Sequence, residues 1–229
     1  MFALLKRVVL GTAVCAAVSF GGPIFSSNFD LGSPLPAPGG PNNFVTYNTG
    51  GTLSSVWTVT GTGVDHAGNY WQSAPGSIYS VDLSSTASGG LTTNVSGFTP
   101  GSQYVLSFYL SGNPEWKAPW ASSIPSTAVK TVGVSVGPNS TTYQFDTTST
   151  TTSNMGWVLQ SFLFTANNSS MQVSFQDQSG PGWFGAVIAG VQINNYEAPP
   201  PGVIPEPATM GLLGGALLGL ALWRRRAAR

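Results

Sequence analysis

The middle of this sequence predicts an all-β fold, an antiparallel sandwich, and three observations carry that prediction. Apolar residues recur there with period two in short runs. Clusters of Gly, Pro and Asn separate nearly all of those runs, and no helical stripe appears between the two apolar segments at the chain ends. Only 7% of the residues are charged, so the surface must be built from hydroxyls and amides instead. Many short strands at this spacing indicate a jelly roll.

Taken in order, residues 44–47, 56–60 and 77–83 are short extended runs. From 103 to 110, Tyr104, Leu106, Phe108 and Leu110 share one face, and Val105, Ser107 and Tyr109 share the other. Val132, Val134 and Val136 lie on one side of a strand at 131–136. Residues 141–146 and 157–165 read as further strands. Met171, Val173 and Phe175 then alternate, as do Val187, Ala189, Val191 and Ile193. Turns fall at Pro75 and Gly76, Pro100 and Gly101, Gly112 to Pro114, Gly137 to Asn139, Asn167 and Asn168, and Gly180 to Gly182. Residues 31–43, rich in Pro and Gly, read as a long ordered loop or strand crossover. The hydroxyl run from Thr147 to Ser153 reads as a solvated loop, and Gly63 to Gly68, which carries His66, as a turn.

Both ends carry targeting signals. Lys6 and Arg7 precede an apolar run from Val8 to Val18, the charge and length pattern of a signal peptide. Cys15, the one cysteine, lies inside that run, so the exported region contains no disulfide. At the other end, Pro205, Glu206 and Pro207 stand directly before an uncharged run from Ala208 to Trp223, followed by Arg224, Arg225 and Arg226. That run is roughly 24 Å long as a helix, and the arginines behind it hold the C-terminus on the cytoplasmic side. The chain thus divides into a signal peptide at 1–22, a sandwich domain at 23–197, a Pro-rich spacer at 198–203, and a tail at 204–229 with its transmembrane helix at 208–223.

Charge narrows the partners. Between residues 22 and 203 the basic side chains are Lys117 and Lys130, against seven acids, a formal net charge of −5. The full chain sums to zero because most Lys and Arg sit in the targeting segments. An acidic domain without a basic patch does not suit nucleic acid, whose binding is dominated by phosphate contacts. Transition-metal binding lacks ligands, since His66 is the only histidine.

The tail resembles the PEP-CTERM sorting signal, in which Pro205, Glu206, Pro207, the helix and Arg224 to Arg226 form one motif. That resemblance implies an exosortase and the export machinery as partners, the inner membrane for the precursor, and then the outer surface or extracellular matrix. The domain resembles the choice-of-anchor C family in Asn28 to Asp30, Trp57 to Val59, Val64 and Asp65, Tyr70 to Gln72, Ser80 to Leu83, Leu110 to Pro114, Phe145 and Asp146, Asn154 to Trp157, and Gly180 and Pro181. This implies a galactose-binding-like jelly roll between a signal helix and a sorting helix. Related sandwiches hold a structural calcium with two acids. Here Asp30 replaces the usual Glu, and Ala189 with Gly190 replaces Asp-Asn, so the calcium site is incomplete and no cofactor is expected.

Most aromatic residues read as core, Trp57 and Trp157 among them, and Asp82 and Asp146 read as turn caps at strand ends. The segment from Asn113 to Trp120 differs. Trp116 and Trp120 lie there in a proline-braced loop beside Glu115 and Lys117, where an indole face can stack on a pyranose and the charged groups can bind its hydroxyls. Tyr70 and Trp71, and likewise Trp183 and Phe184, are aromatic turns that can border the same surface. The expected product is a non-enzymatic, polysaccharide-associated or structural envelope protein. A carbohydrate-binding module with a defined glycan is the alternative. A matrix polysaccharide hydrolase would need two carboxylates facing each other across a concave site.

Overall fold

The computed structural model describes residues 22–30 and 44–197, all within one compact unit, Phe20–Glu197. The expectations for the signal run, for the loop at 31–43, and for the spacer and tail fall outside the described residues.

Thirteen strands occupy the described residues. One sheet contains β2 (Phe44–Tyr47), β5 (Val64–Ala67), β6 (Ser80–Asp82), β13 (Ala186–Asn195), β8 (Gln103–Gly112) and β11 (Val158–Thr165), with β1 (Phe25–Ser27) paired to β13. The other contains β3 (Thr52–Leu53), β4 (Trp57–Gly61), β7 (Gly89–Ser96), β12 (Ser170–Asp177), β9 (Val129–Val136) and β10 (Asn139–Asp146). All pairings are antiparallel. From β6 onward the chain feeds the orders β6-β13-β8-β11 and β7-β12-β9-β10. That interleaving is the double Greek key of a jelly roll.

The core forms where the two inner faces meet. Tyr104, Leu106, Phe108 and Leu110 of β8 face Val132, Val134 and Val136 of β9 and Met171, Val173 and Phe175 of β12, all buried. Phe108 meets Phe175 edge to face at 5.0 Å, and Phe175 meets Trp57 at 5.9 Å. Burying one such ring contributes about 2–3 kcal/mol relative to leaving it exposed.

Three local expectations change. The alternation across Val187, Ala189, Val191 and Ile193 is broken by a bulge, because the register with β8 shifts between Ala189 and Gln192 at Gly190, whose φ is +58°. Ile188, Val191 and Ile193 therefore enter the sandwich core, while Val187 packs into a second cluster with Ala67, Trp71 and Met155. His66 lies on strand β5, fully buried, not in a turn; its ring stacks on Tyr79 and its Nε2 lies 2.9 Å from the Phe29 carbonyl oxygen. Burial holds its pKa below the ordinary histidine value. The hydroxyl run is only partly solvated, since Thr147 and Thr150 are buried and serve as anchors for the neighbouring loop.

Lys130 is the energetic exception in the core. Its ammonium is buried with the Ser126 hydroxyl as acceptor at 2.8 Å. Burial pushes its pKa down to about 8, although Asp82 and Asp177 oppose the shift. An unfolded lysine titrates near ~10.4, so between those values the unfolded chain binds more protons and stability rises with pH. Above about pH 10 the trend reverses, because burial raises the Tyr70 and Tyr143 phenols and only the unfolded chain ionises them there. Thermal melts are expected to climb from about pH 8 to 10, and Lys130→Met to remove the climb. A melting temperature that is flat or falls across that interval in the wild type contradicts this assignment.

Candidate functional site

Strand alternation places Thr46, Asp65, Asp82, Val187 and Ser111 in one cross-strand row, on the face of the seven-stranded sheet opposite His66, Val81 and Ile188. Loops rise around this outer face and enclose a cavity of about 630 Å³. That volume lies within the ~300–1,000 Å³ usual for ligand pockets. Strands β2, β5 and β6 supply its floor through Phe44, Thr46, Asp65 and Asp82. Tyr70 and Trp71, then Asn113, Glu115 and Trp120, then Trp183 and Phe184 come from three separate loops.

The loop carrying Glu115 and Trp120 is rigid for identifiable reasons. It consists of two short 3₁₀ turns, Pro114–Lys117 and Pro119–Ala121, each opened by a proline whose φ suits the first position. Asn113 caps the first turn by accepting from the Glu115 amide at 2.9 Å, and its Nδ2 donates to Asp82 Oδ2 at 2.7 Å. Trp116 and Lys117 point away from the cavity. The Trp116 indole donates to Thr147 Oγ1 at 2.7 Å, and the Lys117 ammonium donates to the carbonyls of Thr147, Thr148 and Thr150. These two side chains fasten the loop to the hydroxyl run and leave Trp120 projecting, 57% exposed, with its ring 5.7 Å from that of Phe184. Trp183 is 46% exposed.

The carboxyl groups have distinct surroundings. Asp82 is buried, with Oδ1 accepting from the amides of Ser84 and Gly185 and Oδ2 from Asn113. Burial raises its pKa well above the ordinary aspartate range; the neighbouring Asp65 charge adds to this, and the Asn113 and Ser84 donors oppose it. Asp65, directly across the strand pair, is also raised by burial, against the Thr46 hydroxyl that donates to it at 2.5 Å. Glu115 accepts from the Tyr70 phenol at 2.7 Å, and burial followed by this carboxylate drives the phenol pKa upward. Tyr70 in turn packs edge-on against Trp71 at 5.2 Å and Phe44 at 5.3 Å. The Trp71 indole donates to Ser80 Oγ at 2.8 Å, which fixes that wall.

Of the residues singled out in the sequence, Glu115, Trp120, Tyr70 and Trp71 line one cavity, whereas Trp116 and Lys117 support it from behind. Sequence reasoning placed Asp65 in a family motif without a site role and took Asp82 only as a turn cap; their pairing across β5 and β6 had no signal, because β5 itself read as a turn. At the position where the family resemblance implies a second acid, Ala189 presents a fully buried methyl group, which supplies no oxygen ligand for a calcium.

Comparison with known proteins agrees on both parts of the chain. Residues 203–226 match the PEP-CTERM protein-sorting motif, which implies export, transient anchoring in the membrane and processing by an exosortase. Halomucin of Haloquadratum walsbyi is 26% identical over 92% of this chain, which spans only 2% of that protein's length. Among solved structures, TmCBM61 in complex with beta-1,4-galactotriose aligns with a TM-score of 0.39 and 16% identity, covering 61% of this chain and 88% of that one. A family 35 carbohydrate binding module from Clostridium thermocellum aligns with a TM-score of 0.37 and 13% identity, covering 66% and 98%. The jelly-roll connectivity stands on the strand order itself. Residues 23–194, nearly the whole domain, match the family described as "Protein of unknown function (DUF642)", and the chain belongs to that family.

Proposed function

We propose that this protein is an exported, non-enzymatic polysaccharide-binding component of the cell envelope, and that a glycan chain lies in the aromatic cavity on the outer face of the seven-stranded sheet. The observation that carries this reading is the convergence of Trp120, Trp183, Trp71 and Tyr70 from separate loops on one cavity that also contains polar floor groups. Flat rings supply apolar contact to the C–H faces of sugars, while carboxylates and amides bind hydroxyls. A hydrolytic role is disfavoured by Asp82, whose two oxygens both accept hydrogen bonds from protein donors and tie β6 to two loops. Affinity electrophoresis of the envelope-derived protein through gels containing the native exopolysaccharide tests the reading. Retardation relative to a polysaccharide-free gel is expected, and equal mobility contradicts it.

The processing reaction has its own expected result. Envelope-derived protein should end near Pro205 to Pro207 and lack Arg224 to Arg226, whereas Glu206→Ala should accumulate as uncut precursor in the inner membrane. Intact-mass measurement decides this: a mature C-terminus at Arg229 leaves the tail as an ordinary membrane anchor.

A further inference from the structure

Resting on the polysaccharide-binding reading, we propose that the cavity selects sugars carrying free amino groups, that is, cationic stretches of a partly de-N-acetylated polysaccharide, over neutral and uronate-bearing chains. The lining residues include three carboxyl groups, Asp65, Asp82 and Glu115, and no Lys, Arg or His. The basic side chains near this wall are all committed elsewhere. Lys117 is spent on the backbone carbonyls of the hydroxyl run, and His66 lies on the core face of β5 between Tyr47 and Tyr79. Lys130 sits within the sandwich, bonded to Ser126.

A uronate would bring its charge towards Glu115 and two further carboxyl groups, with no cation among the lining residues to receive it. An ammonium group meets the opposite situation. Glu115 and Asp65 attract it, and the exposed indoles of Trp120 and Trp183 present ring faces whose quadrupole favours cations. Asp82 contributes from below, held in place by Ser84, Gly185 and Asn113. Burial raises Asp65 and Asp82, so the empty cavity carries carboxyl groups that are costly to ionise there. A bound ammonium relieves that cost, and its attraction is strengthened where water is partly excluded.

The test uses the full chain in detergent micelles and calorimetric titration with four probes at mildly acidic pH: glucosamine hexamer, its N-acetylated counterpart, cellohexaose and hexagalacturonate. Glucosamine hexamer is expected to bind about tenfold more tightly than cellohexaose, with hexagalacturonate weakest. Glu115→Gln, which keeps an acceptor for Tyr70, is expected to bring the ratio between the glucosamine and N-acetylated hexamers close to one. A purely structural effect of that substitution would weaken both hexamers alike and keep their ratio. Equal binding of charged and neutral hexamers overturns the amino-sugar selectivity and leaves the polysaccharide-binding reading standing, and tighter binding of hexagalacturonate does the same. Absence of binding by every probe, together with unretarded migration in native exopolysaccharide, overturns both.

Discussion

Replacing Trp120 and Trp183 together by alanine is expected to reduce retention on native exopolysaccharide by about tenfold or more while leaving the melting temperature nearly unchanged. Each stacked ring contributes on the order of 1 kcal/mol beyond simple burial, and two such losses reach or exceed the ~1.4 kcal/mol that corresponds to tenfold. Stability is spared because both rings are about half exposed and neither belongs to the two buried clusters. Affinity electrophoresis with a thermal melt of the same sample checks both halves. Unchanged retention removes these rings from the binding surface. A large loss of stability shows that the rings brace the loops instead.

Trp57→Ala is expected to do the opposite: to destabilise the domain by about 3–5 kcal/mol, the range for deleting a large buried ring. Trp57 is fully buried and contacts Phe25 at 5.7 Å, Phe29 at 5.8 Å and Phe175 at 5.9 Å. Its indole donates to Ser27 Oγ at 3.0 Å, so the substitution also removes a hydrogen bond that links β1 of the seven-stranded sheet to β4 of the six-stranded one. In a domain of this size the melting temperature should fall by roughly 6–20 °C. A fall of only a degree or two shows that the cavity collapses around the missing ring, and that Trp57 does not join the sheets.

These two tryptophans illustrate what was legible in the sequence. Trp57 falls at an inward position of a short strand and read as core. Trp120 lies between prolines outside any alternation and read as a surface aromatic. The sandwich class was legible because β8, β9 and β12 each bury one face and leave most of the other half-buried or exposed, which gives a period of two. Strand β7 was missed although it lies between β4 and β12 in its sheet. It opens with Gly89 and Gly90, where a Cβ would approach the Gly63 and Phe175 carbonyl oxygens to 1.9 Å and 2.5 Å. Its remaining residues are mostly Thr, Asn and Ser, so close backbone approach and a polar outer face made a central strand resemble a loop.

The site was legible only in part, for a related reason. Aromatic residues in turns are visible one loop at a time, whereas the cavity depends on which loops the jelly-roll connectivity brings together. Trp116 and Trp120 looked equivalent from spacing alone. The 3₁₀ turns separate them, one towards Thr147 and one towards Phe184. Asp65 and Asp82 are far apart in sequence and adjacent only because β5 pairs with β6. The bulge at Gly190 hid the fact that Val187 lies under the loops surrounding the cavity while Val191 belongs to the core.

The most direct test of the central claim is a nuclear magnetic resonance titration of isotopically labelled protein with the polysaccharide fragment that retards it in gels, read at the tryptophan indole signals. Trp120, Trp183 and Trp71 are expected to shift together in a saturable manner, while Trp57 and Trp116 stay in place. A competing surface exists on the outer face of the six-stranded sheet, where Thr52, Thr58, Thr92, Ser174, Ser135 and Ser140 form one continuous cross-strand row of hydroxyls. Saturable shifts confined to the backbone signals of that row, with the cavity tryptophans unmoved, would contradict the account.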